Sequence, residues 1–218
     1  MIVVIASAID DEAISLVDRW RSDIAMLTPL DLSCPGWRIE MDRPDSQFVA
    51  GETRYCSGEV TGVLSRLPAV PAMEMLVIAK DDREYAACEA TAALAWWLAT
   101  LQCPVVNVPT PASLLGPTRH PMHWRALAGQ LGIPTHPALH DPFAGADIES
   151  VTWCAVLDGE PVGDHDHETQ RQAKMLAATT PNRLCAFGFA EPTLGLCAVT
   201  QRPALTADLL ARLDGVFA

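Results

Sequence analysis

An α/β fold built on a buried parallel sheet is the class this sequence predicts, and three observations carry it. The chain opens on Ile2-Val3-Val4-Ile5-Ala6, an unbroken apolar run of the kind that fills a strand covered on both faces. A helix-like stretch and a second short apolar run over residues 24–27 follow at the spacing of a βαβ unit. Half of the 218 residues are hydrophobic, enough to bury a sizeable core.

The elements follow in order. Ser7 or Asp10 is placed to cap a helix ending near residue 21, with Ile14, Val17 and Trp20 on one face. Residues 28–58 change character. Trp37-Arg38-Ile39-Glu40-Met41 alternates, and Pro35-Gly36, Pro44-Asp45 and Gly51 punctuate the segment, so short strands or hairpins are predicted. A strand over 60–64 precedes the breaker Pro68. Asp81 and Asp82 open the longest helix, running to about residue 101, where acidic side chains meet the positive end of the helix dipole. Cys103-Pro104 leads into a strand, Val105-Val106-Asn107, and Pro109 and Pro111 stiffen the loop after it. A helix over 121–131 ends before Gly132, a suitable residue for the turn that closes it. A boundary within 137–149 divides a domain over 1–136 from a second part over 150–218. That part offers a strand over 151–157, a turn at Asp158-Gly159, a polar stretch over 164–174, strands over 184–189 and 194–199, and a helix over 206–213. The first part reads as a Rossmann-like sheet and the second as a small α+β piece.

Composition excludes several function classes. With 15 basic and 27 acidic residues the net charge is -12, which argues against nucleic acid and against anionic membranes as partners. Lys80 and Lys174 are the only lysines; every other basic residue is an arginine, suited to forked contacts rather than to point-charge phosphate holding. The seven cysteines are scattered singly without a CxxC pair, which reads as buried reduced thiols in a cytoplasmic protein. The first residues lack the basic region of a signal peptide, and the apolar run 86–101 is short for a membrane span and contains Glu89, so a soluble protein is expected.

Three stretches could carry chemistry. A strand ending in Ser65-Arg66 would present a hydroxyl and a guanidinium at a carboxyl sheet edge, where α/β proteins place ligands. Taken alone, an arginine closing a strand is the plainer reading. Asn107 and Thr110, in a loop held by prolines, could bond a ligand or a neighbouring turn. The run Asp164-His165-Asp166-His167-Glu168 could hold a divalent metal, through His165, His167 and Asp164 above all, or form a solvated acidic loop. His120 and His123 suit capping and packing at a helix start. No phosphate-binding glycine loop, serine-hydrolase elbow or zinc-protease motif occurs.

Read together, the segments GVLSRLPAVP, DREYAACEATAALAWWLATLQCPVVNVPTPASLLGP and HPMHWRALAGQLGIPTHP resemble the N-terminal region of ATP-grasp carboxylate–amine ligases. The nearest type is that of ribosomal-protein glutamate ligases and graspetide ligases. The resemblance covers residues 56–136. Such ligases typically read Gly-Val-Leu-Asn-Arg-Leu and Cys-Pro-Val-Val-Asn-Arg-Pro-Thr-Pro; here Ser65 replaces the first Asn and Val108 the second Arg. The tail LCAFGFAEPTLGLCAVTQRPAL is similar to the family's closing pattern, in which an Asp, a Glu and an Asn bind metal. The resemblance puts these ligands at Ala190, Ala198 and Thr200, so all three would be missing. Such ligases are usually longer, and the resemblance implies that the nucleotide-clamping subdomain is deleted here.

The resemblance therefore implies a degenerate ATP-grasp-like protein without catalytic residues or cofactor. It would act as an accessory subunit that binds a protein partner, or as a homo-oligomer. Ser65, Arg66, Asn107 and Thr110 would line the surviving cleft, where Arg66 could pair with a carboxylate of substrate or partner. One rival is a compact ATP-dependent ligase holding Mg-ATP through Lys174, Asp164, Asp166 and Glu168. Another is a metalloprotein using the histidines of that same stretch.

Overall fold

A computed structural model describes residues 1–20, 23–40, 46–141, 148–191 and 193–218. The fold is mixed α/β, with one parallel and one antiparallel four-stranded sheet. The chain divides into two compact units, Met1–Gly116 with Leu213–Ala218, and Pro117–Arg212. Part of the expected boundary within 137–149, residues 142–147, lies outside the described residues, and the division between the two compact units falls at residue 117. Its cause is the helix over 121–130, whose Trp124 and Ala128 are buried in the second unit's core rather than the first's.

In the first unit, β1 (Ile2–Ile5) is fully buried, as its apolar run requires. It lies between β2 (Ile24–Leu27) and β5 (Gly62–Ser65), with β6 (Val105–Val106) beyond β5, all parallel. Asp10 caps α1 (Asp11–Arg19) by accepting from the Ala13 amide at 3.2 Å. The buried face of α1 is Ala13 and Leu16, so Ile14, expected to face inward, is exposed. The segment after β2 holds a helix the sequence reading did not foresee, α2 (Pro29–Leu32), closed by a reciprocal cap between Thr28 and Asp31. A hairpin of β3 (Gln47–Ala50) and β4 (Thr53–Cys56) follows. The alternating stretch contributes only a bridge from Arg38 to Gln47, while Met41 and the Pro44-Asp45 turn lie outside the described residues.

The long helix α3 (Arg83–Thr100) buries Leu94, Trp97 and Leu98 beside Phe48 and the sheet. Trp97 satisfies its indole N–H by donating to Ser57 Oγ at 2.8 Å, so its burial leaves no unpaired donor. Among the described residues, no helix is long and apolar enough to cross a membrane. At the other end of the unit, buried Phe217 lies directly over Gly62; a Cβ there would come 2.2 Å from the ring.

The second unit is an antiparallel sheet in the order β10 (Gly195–Thr200), β9 (Leu184–Ala190), β7 (Val151–Leu157), β8 (Glu160–Val162). Asp158 and Gly159, both at positive φ, make the tight turn that joins β7 to β8. The polar stretch over 164–174 is not a loop: most of it forms α5 (His167–Ala177), whose Ala173 and Leu176 pack against Cys154, Cys185 and Phe187. The helix α4 (Pro121–Gln130) joins the same core through Trp124, edge-on to Phe187 at 5.7 Å. A last helix, α6, spans Ala207–Val216.

Candidate functional site

Strand order places one candidate site in the first unit. The connection from β1 goes to β2 on one side, while β5 lies on the other, so the carboxyl ends of β1 and β5 form the switch point of the sheet. Ser65 ends β5, Arg66 follows it, and Asn107 follows the neighbouring β6, so the topology brings all three to one sheet edge. Arg66 does not stand open there. Its side chain is only 4% exposed; it donates from Nε to Asp10 at 2.8 Å and from Nη2 to Glu12 at 2.5 Å. Asp10 therefore caps α1 and anchors Arg66 with the same carboxylate. Beside it, Ser7 donates to Glu74 at 2.7 Å, and the Ala8 amide donates to the other Glu74 oxygen at 3.0 Å. The switch point is thus filled by internal contacts between acidic side chains and an arginine.

The remaining candidates of this unit separate. Ser65 is buried and donates to the Leu67 carbonyl at 3.3 Å. Asn107 is buried in the left-handed region at φ 59, a conformation asparagine tolerates better than most residues, and it turns the chain out of β6. Thr110 closes a local turn with Ser113 and also lines a groove of about 760 Å³ between α3 and the Pro109–Ala112 loop, with Trp96 at its wall. Ser65, Arg66 and Asn107 do not line it, so the single cleft expected for the four residues is two separate places.

In the second unit the acidic stretch is spent on structure. Asp166 caps α5, accepting from the amides of Glu168 and Thr169 at 2.9 Å each, and the Thr169 hydroxyl with its amide hold the carboxyl below its ordinary range. Glu168 is held down to about 2 by hydrogen bonds from Arg171, then from Gln172. His167 is the first residue of the helix, and His165 Nε2 lies 3.1 Å from the Val162 carbonyl. Lys174 is paired with Glu160 at 2.6 Å. Among the described residues, no three His, Cys, Asp or Glu side chains group to hold a metal. Of the set of Lys174, Asp164, Asp166 and Glu168 that a compact ligase would use, Asp166 caps α5, Glu168 pairs with Arg171 and Lys174 pairs with Glu160.

The sheet shows where the resemblance-implied ligand positions fall. Residues directly opposite one another share a face. Gly188 pairs with both Trp153 and Ala198, Ala186 with Ala155 and Thr200, and Ala190 with Val151 and Gly195. Ala190, Ala198 and Thr200 therefore lie on one face, opposite the face packed by α4 and α5. Trp153 is the largest side chain among the alanines, glycines and valines that surround it there. A Cβ on Gly188 would lie 3.3 Å from Trp153 Cη2, so the indole rests over the glycine beside Ala198. Mg²⁺ needs hard oxygen ligands, and of the three positions only Thr200 carries a side-chain oxygen. These three residues do not fit a Mg-nucleotide.

Next to Trp153 the same face opens into a groove of about 410 Å³. Its floor is Ala155, Val162 and Ala186, and Asp164, Arg202 and Asp208 stand around it. The sequence reading missed this groove. Its signals were a tryptophan alternating with small residues in β7 and a glycine in the middle of β9, which marks close approach by another group.

The thiols divide by burial. Cys154, Cys185 and Cys197 are buried, but Cys56 and Cys88 are exposed, so the expectation of uniformly buried cysteines is corrected. Burial, then nearby Asp166, pushes Cys154 up to about 11; burial, then Cys154, pushes Cys185 up to about 12.

No family model matches the sequence, and no curated protein matches it. Solved structures do match the fold. The macrocyclase MdnC from Microcystis aeruginosa MRC, bound with precursor peptide MdnA, superposes with a TM-score of 0.69 at 10% identity, over 99% of this chain and 98% of that one. The ATP-grasp ligase PsnB, complexed with minimal precursor, Mg and ADP, gives 0.63 at 12% identity, over 99% and 96%. A RiPP-associated ATP-grasp ligase from Chryseobacterium gregarium, in complex with ADP and a leader and core peptide, gives 0.54 at 9% identity, over 97% and 91%. The chain thus has an ATP-grasp-like fold. The matches run along nearly the whole of both chains, so they do not single out a deleted subdomain.

Proposed function

We propose that this chain is an ATP-grasp-like protein of a peptide-modifying system that binds a peptide or protein partner without itself catalysing ATP-dependent ligation. The observation that carries the reading is the shared sheet face of Ala190, Ala198 and Thr200, where two of three positions lack any side-chain oxygen. The scarcity of lysine in the second unit supports it: Lys174 is the one lysine there, and it pairs with Glu160 on the surface. The peptide part rests on the likeness to ligases solved with precursor peptides. No cofactor belongs to this reading, and the partner is a polypeptide.

The test is turnover. Purified protein incubated with Mg-ATP and a panel of acidic and hydroxyl-bearing peptides is expected to release ADP no faster than the buffer blank. ADP release that depends on both peptide and protein would overturn the reading.

A further inference from the structure

We propose that the groove beside Trp153 binds an arginine side chain carried by a partner peptide. The inference rests on the peptide-binding reading above and names the chemistry of one of its contacts. Trp153 is 46% exposed although its cross-strand neighbour is Gly188 and the residues around it, Val151, Ala155, Val162, Ala186 and Ala198, are all smaller. An exposed indole beside a small-residue floor is a surface on which a planar guanidinium stacks and its methylene stem lies flat. A groove of about 410 Å³ accommodates that side chain and its main-chain segment.

Charge selects the cation. Asp164, in the turn after β8, and Asp208, in the first turn of α6, both line the groove. Neither is in an ion pair with the described residues. Gly163 is at φ +91, and a Cβ there would lie 3.4 Å from His165 Nε2 and 3.7 Å from Asp208 Oδ2, so the glycine lets both side chains approach the turn closely. Two carboxylates offer a guanidinium forked hydrogen bonds. A polyphosphate would meet the same two carboxylates, with Arg202 the one arginine or lysine and His165 the one histidine among the described lining residues. Arg202 is left to donate to a peptide carbonyl. A peptide fits better than free arginine because exposed Val151 extends the apolar surface beyond the groove along β7. The chain's net charge of -12 draws the same ligand at longer range.

The experiment is fluorescence anisotropy with a fluorescein-labelled pentapeptide holding one central arginine between leucine and alanine residues. The same peptide with citrulline at the centre, neutral and of equal shape, is the control. Saturable binding of the arginine peptide, at least tenfold weaker for citrulline, is expected. Asp208→Asn and Trp153→Ala should each weaken it tenfold or more with unchanged circular dichroism. Three outcomes overturn the proposal: no binding of the arginine peptide, equal binding of the citrulline peptide, or binding unchanged in Asp208→Asn. Sedimentation that shows a dimer dissociated by Trp153→Ala would also overturn it, since a second copy would then occupy the groove. None of these touches the non-catalytic reading, which fails separately if Mg-ATP binds or turns over.

Discussion

Replacing Arg66 by methionine removes a buried guanidinium and leaves its partners behind. Asp10 is only 9% exposed, so breaking that contact strands a buried carboxylate, a change that costs about 3–5 kcal/mol where nothing compensates. Compensation here is partial, because Asp10 still accepts from the Ala13 amide. Glu12 is 47% exposed and adds about 0–1 kcal/mol, as a surface pair does. The expected loss is therefore about 3 kcal/mol. With a urea slope of about 2 kcal/mol per molar, the unfolding midpoint falls by roughly 1.5 M. Adding Asp10→Asn removes the stranded charge, so the double variant should lose at least ~1 kcal/mol less than the sum of the single ones. Urea titration followed by circular dichroism measures all three. A loss below ~1 kcal/mol for Arg66→Met, with additive singles, would refute the buried pair and return Arg66 to the role of an open cleft residue.

Further outcomes follow from other contacts. Gly62→Ala puts a methyl 2.2 Å from the Phe217 ring and should cost about 1–3 kcal/mol in the same titration, much of it recovered by adding Phe217→Leu. Glu168 is held at about 2 against an ordinary value of 4.5, so it stabilises the folded state above pH 4.5, and that contribution is lost as pH falls toward 2. Glu168→Gln should flatten the thermal-melt dependence across that interval, and a wild-type-like pH profile in the variant would count against the Arg171 and Gln172 bonds. Brief iodoacetamide labelling of the native protein at pH 8, read by mass spectrometry, should modify Cys56 and Cys88 and spare Cys154 and Cys185; early modification of Cys185 would contradict its burial.

Much of the fold was legible because it rests on local pattern. The apolar run of β1, the turn at Asp158-Gly159 and the proline-opened α4 follow from burial and backbone preference alone. The stretch over 164–174 was not, because its polar residues hide a narrow buried stripe of Thr169, Gln172 and Ala173, and because the cap at Asp166 looks the same in sequence as a metal ligand. That Ala190, Ala198 and Thr200 share one face was not readable from alternation, because the register of β10 shifts between Leu196 and Ala198 and only the pairing with β9 shows it. Arg66 shows the same limit. Its place at the sheet edge was readable, but its pairing with Asp10 spans 56 residues of sequence, and only the strand order reveals it.

The most direct test of a non-catalytic ATP-grasp-like protein is calorimetric titration of the purified chain with Mg-ATP, with a non-hydrolysable analogue alongside. No saturable heat up to millimolar nucleotide is the predicted result. Saturable binding at micromolar concentration would contradict the account, because it would require metal ligands that Ala190 and Ala198 do not supply.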